Sequence, residues 1–96
     1  MASIFPAHSD PRYTISEDGV VKINGSAYMS GKFTNKTDYT IKETCIVYKV
    51  YNKEKYVIES PTMCIGYLSP NETWLFKTQP VADAEYFNLG GVSLTQ

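Results

Sequence analysis

The chain has 96 residues, a formal net charge of −1 and 14% aromatic side chains, among them eight tyrosines. This length allows one domain with a modest core, and the near-neutral charge gives no overall field that would attract nucleic acid. No apolar run reaches the ~18 residues that a membrane span requires.

The first 25 residues are predicted to form an N-terminal arm and short strands. Residues 1–12 contain two prolines and no periodicity, which is typical of a loose arm. They also lack the basic start and apolar centre of a secretion leader, so an exported protein would have lost its leader ahead of this chain. Two short strands, 13–16 and 20–23, are predicted on either side of a Glu17-Asp18-Gly19 turn signal.

A strand over residues 26–34 follows the turn dipeptide Asn24-Gly25. Apolar and polar positions alternate along it, as a half-buried strand requires. Phe33 lies on the predicted core face and Tyr28 on the opposite face. Gly31, in the middle of the core face, indicates a bulge or a close approach by another part of the chain.

The longest predicted strand, residues 40–52, is dense in β-branched and aromatic side chains, and the rest of the fold is expected to form around it. Its predicted core face carries Ile46, Tyr48 and Val50. The opposite face is unusually apolar for a solvent-facing surface and consists of Cys45, Val47, Lys49 and Tyr51. We therefore expect a second sheet, the N-terminal arm or a binding partner to contact this face.

A polar turn at residues 52–55 and a return strand from Tyr56 complete a hairpin. With this turn, Cys45 falls opposite residue 62 or 63, close to Cys64. Two interpretations stay open: a small register shift gives a cross-strand disulfide, or the two cysteines are half-buried thiols on neighbouring strands. The cysteines have no metal-ligand spacing and no histidine neighbour, so no metal site is predicted.

The C-terminal third continues the pattern of short strands. Trp74 and Phe76 share an aromatic core face, residues 82–85 hold at most one helical turn, and a last strand over 86–94 is interrupted at Gly90-Gly91. No helical periodicity is sustained anywhere, so the predicted fold is all-β, an antiparallel β-sandwich. The predicted core consists of Phe33, Ile46, Tyr48, Val50, Trp74 and Phe76.

Several of these segments resemble the FxLYD domain family. Residues 31–37, 48–52 and 68–77 are similar, in order and spacing, to its first strand and turn, its naming motif and its tryptophan–phenylalanine strand. In the naming motif of residues 48–52, Tyr, Val and Asn stand for the family's Phe, Leu and Asp. Asn71 stands where the family usually has glycine, and both residues tolerate the same backbone conformation.

The resemblance covers residues 26–94 and implies an immunoglobulin-like antiparallel β-sandwich. The family occurs mainly in exported or surface-anchored bacterial proteins and has no established activity, so the resemblance supports the fold more than the function. We accordingly expect residues 1–25 to be an arm with short strands and residues 26–96 to be an FxLYD-like β-sandwich domain.

Catalysis is not expected. His8 is the only histidine and lies in the arm, whereas a general base needs a rigid support. The carboxylates are scattered, and Gly90-Gly91 lacks the lysine and the strand–loop–helix context of a phosphate loop. We therefore predict no enzyme, no catalytic residue and no cofactor.

Binding of a partner is the favoured function. The candidate binding residues are Tyr28, Lys49, Tyr51, Lys53 and Tyr56, because the amphipathic rings of tyrosines suit interfaces. Lys49, Lys53 and Lys55 are predicted to lie near one hairpin tip with Tyr51 and Tyr56, where they could stack single-stranded nucleic acid, but the net charge argues against that partner. Such tyrosines also line the rims of small cores, and this interpretation stays open beside the functional one.

The expected function is thus a non-enzymatic protein- or envelope-interaction module of an exported or cell-surface bacterial protein. It would bind through the outer face of the long strand and its hairpin tip. The alternative is a cytoplasmic inhibitor or immunity-type protein that blocks an enzyme by surface complementarity. Free thiols at Cys45 and Cys64 would favour the alternative, and a disulfide would favour export.

Three asparagines head N-glycosylation acceptor patterns, at Asn24, Asn35 and Asn71. All three lie in predicted turns, where asparagine is expected for turn geometry alone. These asparagines would be glycosylated only if the protein came from a eukaryotic secretory pathway.

Overall fold

The computed structural model describes residues 10–96, which form strands and turns without a helix. The strands, in chain order, are β1 (Tyr13–Ile23), β2 (Ser26–Asn35), β3 (Ile41–Tyr51), β4 (Val57–Glu59), β5 (Thr62–Leu68), β6 (Thr73–Lys77), β7 (Val81–Ala82) and β8 (Tyr86–Thr95). The all-β prediction is confirmed. Within the described residues, no helix has the length and apolarity to cross a membrane.

Two antiparallel sheets pack face to face, each around one long central strand. In the first sheet, β2 pairs with β1 on one side and with β6 and β7 on the other. In the second sheet, β3 pairs with β8 on one side and with β4 and β5 on the other. The β-sandwich prediction is confirmed, and its finer assignment to the immunoglobulin-like type stays a prediction.

The edge strand β1 is continuous, in contrast to the two short strands expected from the sequence. It pairs with β2 from Tyr13 opposite Asn35 to Ile23 opposite Ser26, with one bulge between Ser16 and Gly19. The predicted turn signal is therefore a bulge, because β2 offers pairing partners on both sides of it.

In each sheet, one edge is made of two strands that are separated at a proline. β4 and β5 are separated at Pro61, and β6 and β7 are separated before Val81 at Pro80. Proline has no backbone N–H to donate to a neighbouring strand, so an edge is where a sheet tolerates it. The edge position expected for Pro61 is confirmed, whereas the helical turn considered for residues 82–85 is absent, since Asp83 has a φ of 62°.

The core between the sheets contains the aromatic and β-branched residues expected from the sequence. Phe33, Ile46, Tyr48, Val50 and Phe76 are buried. Burial raises the pKa of the Tyr48 hydroxyl to about 12, and Asp18 adds a smaller contribution in the same direction. Trp74 also faces inward but is half-buried, because β6 lies at the edge of the first sheet.

Truncation of Phe33 should cost more stability than truncation of Trp74. We expect Phe33→Ala to lower the free energy of unfolding by about 3–5 kcal/mol, because its ring is fully buried. Trp74→Ala should cost roughly half as much, since part of its ring remains in water before and after unfolding. Urea unfolding measures both values, and a larger loss for Trp74→Ala would mean that the packing around β6 is misassigned.

The buried side chain of Asn35 holds the crossover from the first sheet to the second. Its Nδ2 donates to the backbone carbonyls of Tyr39 and Leu68, each at 2.9 Å. Its Oδ1 accepts from the backbone N–H of Thr37 at 2.8 Å and from the Thr37 hydroxyl at 2.6 Å. Every polar atom of the amide is thus paired, and the folded state leaves its nitrogen inaccessible to glycosylation.

Loss of this amide should destabilise the whole domain. Asn35→Ala removes the side-chain partner of the Leu68 carbonyl and of the Thr37 N–H, and leaves the Tyr39 carbonyl with the Thr37 hydroxyl as its side-chain donor, so we expect a loss of roughly 3 kcal/mol in urea unfolding. Asn88→Ala, which removes the same group from an exposed site on β8, should stay within about 0.5 kcal/mol of the parent. Similar losses in the two variants would contradict the role assigned to Asn35.

Candidate functional site

A disulfide crosses the outer face of the second sheet. Cys45 on β3 lies directly opposite Cys64 on β5, and their sulfur atoms are bonded at 2.05 Å. The register differs from the sequence expectation by one or two residues. The cause lies in the hairpin, where a bulge at Val50 and Tyr51 and a longer turn shift the return strand along β3.

Glu43 is the nearest potential metal ligand to this disulfide. Its carboxylate and the sulfurs of Cys45 and Cys64 all lie within 4.8 Å of one another. Metal binding by cysteine needs a thiolate, and a sulfur in a disulfide cannot supply one. Because both sulfurs are in the disulfide, these three residues on β3 and β5 do not form a metal centre.

Removal of the disulfide should lower stability without changing the fold. The bond closes a loop with a sequence separation of 19, for which the chain-entropy model gives about 3 kcal/mol. We expect Cys45→Ala/Cys64→Ala to lose about this amount in urea unfolding, with the far-ultraviolet circular dichroism spectrum retained. Titration of the unfolded, unreduced parent should detect no free thiol, and detection of two would refute the bond.

The hairpin tip between β3 and β4 is shaped by Asn52. Its Oδ1 accepts hydrogen bonds from the backbone N–H groups of Glu54 and Tyr56, both at 3.0 Å. The Lys55 N–H donates to the Asn52 carbonyl at 2.9 Å, and Lys55 itself has a φ of 71°. This is a turn closed by one left-handed residue, and it returns Lys55 towards the outer face of the second sheet.

Two tyrosines meet on that outer face. Tyr51 on β3 lies directly opposite Tyr86 on β8, and one step along the ladder Lys49 lies opposite Asn88. Tyr86 is 48% exposed and Tyr51 is half-buried. Together they line an open cleft of about 440 Å³, here called the tyrosine cleft, whose lining residues are Tyr51, Lys55, Tyr86 and Asn88.

The structure separates the five candidate binding residues into four places. Lys49 and Tyr51 share the outer face of the second sheet, and Tyr56 is 69% exposed just ahead of β4. Lys53 lines a different cavity of about 390 Å³ at the end of the sandwich. Tyr28 lies on the outer face of the first sheet, with the Lys77 ammonium 5.2 Å from its ring centroid, so it does not join Tyr51.

Three of the four residues that line the tyrosine cleft were not among the candidate binding residues predicted from the sequence. Tyr86 and Asn88 alternate with the buried Phe87, which indicates that they face outward. The alternation gives no indication that β8 pairs with β3, so nothing in the sequence brings Tyr86 to Tyr51. Lys55 was expected at the hairpin tip but was not among the candidate binding residues, and its place in the cleft depends on the left-handed turn, which a lysine does not signal.

Among the residues that line the cleft, the one charged side chain is that of Lys55. Lys55 lines it and Lys49 adjoins it, whereas no carboxylate is among its lining residues. The nearby Glu85 is engaged with Lys22, whose Nζ lies 3.3 Å from its Oε2. The cleft therefore offers aromatic rings, an amide and ammonium groups, a set suited to contact with an anionic partner.

The shifted pKa values lie away from the cleft and have structural causes. Burial raises the pKa of the Tyr13 hydroxyl, as it does that of Tyr48. A side-chain hydrogen bond from Arg12 holds the pKa of the Asp10 carboxyl below its usual value at the surface. Perturbed groups often mark catalytic centres, but these three lie in the core or beside a surface ion pair. His8 lies outside the described residues 10–96.

A scan of protein-family models and searches of curated proteins and solved structures found no match to this chain. The FxLYD-like assignment of residues 26–94 therefore stays a prediction. So does the division at residue 25, across which β1 and β2 pair in the first sheet.

Proposed function

We propose that this domain is a non-enzymatic interaction module of an exported bacterial protein, binding a protein or cell-envelope component through the tyrosine cleft and the adjoining Lys49. The observation that carries the proposal is the pairing of Tyr51 with Tyr86 on an outer face, where neither ring is part of the buried core. Large aromatic side chains contribute more binding energy when a partner buries them than they contribute to stability while exposed to water.

Tyrosine suits this role for a physical reason. It offers a large amphipathic surface with few rotatable bonds, so it loses little conformational entropy when a partner orders it. Because Tyr51 and Tyr86 are held on adjacent strands, their backbones are already fixed before binding.

The lysines at the cleft favour an acidic partner. Lys49 and Lys55 would meet acidic groups of the partner, and the absence of a carboxylate from the cleft lining avoids repulsion. The preferred partner therefore presents an apolar or aromatic group flanked by negative charge. An acidic protein surface and an anionic envelope polymer both have this chemistry.

The disulfide supports export over the intracellular inhibitor function. Cys45 and Cys64 are bonded, and structural disulfides persist in oxidising compartments and are rare in the cytosol. The same compartment agrees with the resemblance to FxLYD domains, which are found mainly in exported or surface-anchored proteins.

The test is a binding measurement on a captured partner. The biotinylated domain is offered to solubilised envelope and to cytosol of the source cell, and the retained component is purified and titrated by calorimetry. We expect an envelope component whose dissociation constant rises about 30-fold or more with Tyr51→Ala, as for the central residue of an interface. Lys49→Glu should also weaken binding, through repulsion of the acidic partner.

Tyr28→Ala is the matched control, because it removes the same ring from the outer face of the other sheet. Its dissociation constant should equal that of the parent, and all three variants should keep the parent's thermal midpoint within a few degrees. Unchanged binding by Tyr51→Ala would remove the cleft from consideration. A cytosolic enzyme retained equally by all variants would instead favour the inhibitor function.

A further inference from the structure

The outer edge of β8 differs from every other strand edge in the described part of the chain. β8 is 10 residues long, from Tyr86 to Thr95, and contains neither a charged residue nor a proline. Within residues 10–96, β3 pairs with one side of β8 and no strand pairs with the other. Such an edge presents a row of backbone N–H and C=O groups that are able to pair with another strand.

The other three edges are protected in ways that sheets commonly use. β1 carries Glu17, Asp18 and Lys22, together with a bulge between Ser16 and Gly19. The edge formed by β4 with β5 and the edge formed by β6 with β7 are each divided at a proline, and the longest uncharged segment of the two edges is the seven-residue β5. Charges and prolines oppose the addition of a further strand, and within residues 10–96 β8 is the longest edge strand that has neither.

The order of exposed and buried positions along β8 determines which pattern a pairing strand must have. Gly90 is an extra residue relative to β3, since Val47 lies opposite Gly91 and Tyr48 opposite Leu89. This bulge reverses the alternation, so Phe87 and Leu89 face inward before it and Val92 and Leu94 face inward after it. The pattern of faces is therefore the same when read from either end of the strand.

We propose that β8 is a self-association edge, at which two copies of this chain pair antiparallel about a two-fold axis between Gly90 and Gly91. In this register, Phe87 lies opposite Leu94 of the second copy, and Leu89 lies opposite Val92 of the second copy. Opposite residues of an antiparallel pair must lie on the same face, and this register meets that condition along the whole strand. A partner strand with regular alternation would match only one half of β8.

Apolar packing and charge agree with this pairing. Leu89, Val92 and Leu94 are half-buried at the side of the sandwich, and the second copy would place its own half-buried apolar residues beside them. Neither strand carries a charge, so the symmetric contact brings no like charges together. Both copies use the same surface in this contact, so the assembly ends at a dimer and leaves neither β8 edge unpaired.

The dimer would present two tyrosine clefts on one continuous sheet. Tyr86 and its copy are nine positions apart along the paired strands, or about 30 Å at the usual rise per residue. Both clefts lie on the outer face, so a repetitive partner could engage the two together. Dimerisation does not depend on such binding and is tested without a partner.

The test introduces charge at the two-fold axis. A side-chain carbon at Gly91 would meet no atom within 4 Å, so Gly91→Glu and Gly91→Lys should fold as the parent does. In the dimer, residue 91 and its copy lie next to each other across the axis, and like charges there repel. Gly19→Glu is the matched control, because Gly19 on β1 also has open space around it.

Sedimentation velocity up to about 1 mM, at low ionic strength, gives the dimer dissociation constant of each protein. We expect a dimer for the parent and for Gly19→Glu, and dissociation constants at least about tenfold higher for Gly91→Glu and Gly91→Lys alone. An equimolar mixture of these two variants should recover the dimer, since opposite charges then meet at the axis. Thermal midpoints and circular dichroism verify that each variant is folded.

A monomeric parent over this concentration range would overturn the proposal. So would a dimer that Gly91→Glu leaves intact, because the contact would then lie elsewhere on the surface. A mixture that stays monomeric although both variants are folded would also count against the two-fold register.

Discussion

The structure depends on one buried amide, that of Asn35, at the point where the chain passes from the first sheet to the second. Its four hydrogen bonds hold the backbone of Tyr39 ahead of β3 and that of Leu68 at the end of β5. Buried backbone groups that leave a ladder need partners elsewhere, and this side chain supplies them. It therefore anchors the segment that leads into β3 to the end of β5, the strand that pairs with the start of β3.

The tyrosine cleft and the open edge both follow from how β3 pairs. Once Tyr48 and Val50 face inward, Tyr51 must face outward, because successive residues of a strand point to opposite faces. The β8 ladder then brings Tyr86 beside Tyr51 and places the Gly90 bulge in the middle of the edge strand. The disulfide bonds β3 covalently to β5, the strand on the side of β3 away from β8, so the face proposed for binding lies on a cross-linked strand.

Much of the fold could be predicted from local pattern. Alternation over residues 26–34 and the β-branched density over 40–52 identified the two central strands and their core faces, including Phe33, Ile46 and Tyr48. The site was less predictable. Tyr51 and Lys49 share the outer face of β3, as their spacing in one strand predicted, whereas Tyr28 lies on the other sheet.

The sequence by itself determined what depends on near neighbours: strand positions, inward faces and the turns that asparagine, glycine and proline require. Tertiary structure decided which strands pair and in which register. Only the register aligned Cys45 with Cys64, joined β1 into one strand and brought Tyr86 to Tyr51. The physical reason is that strand alternation has a period of two wherever the partner lies, while a single bulged residue changes every pairing beyond it.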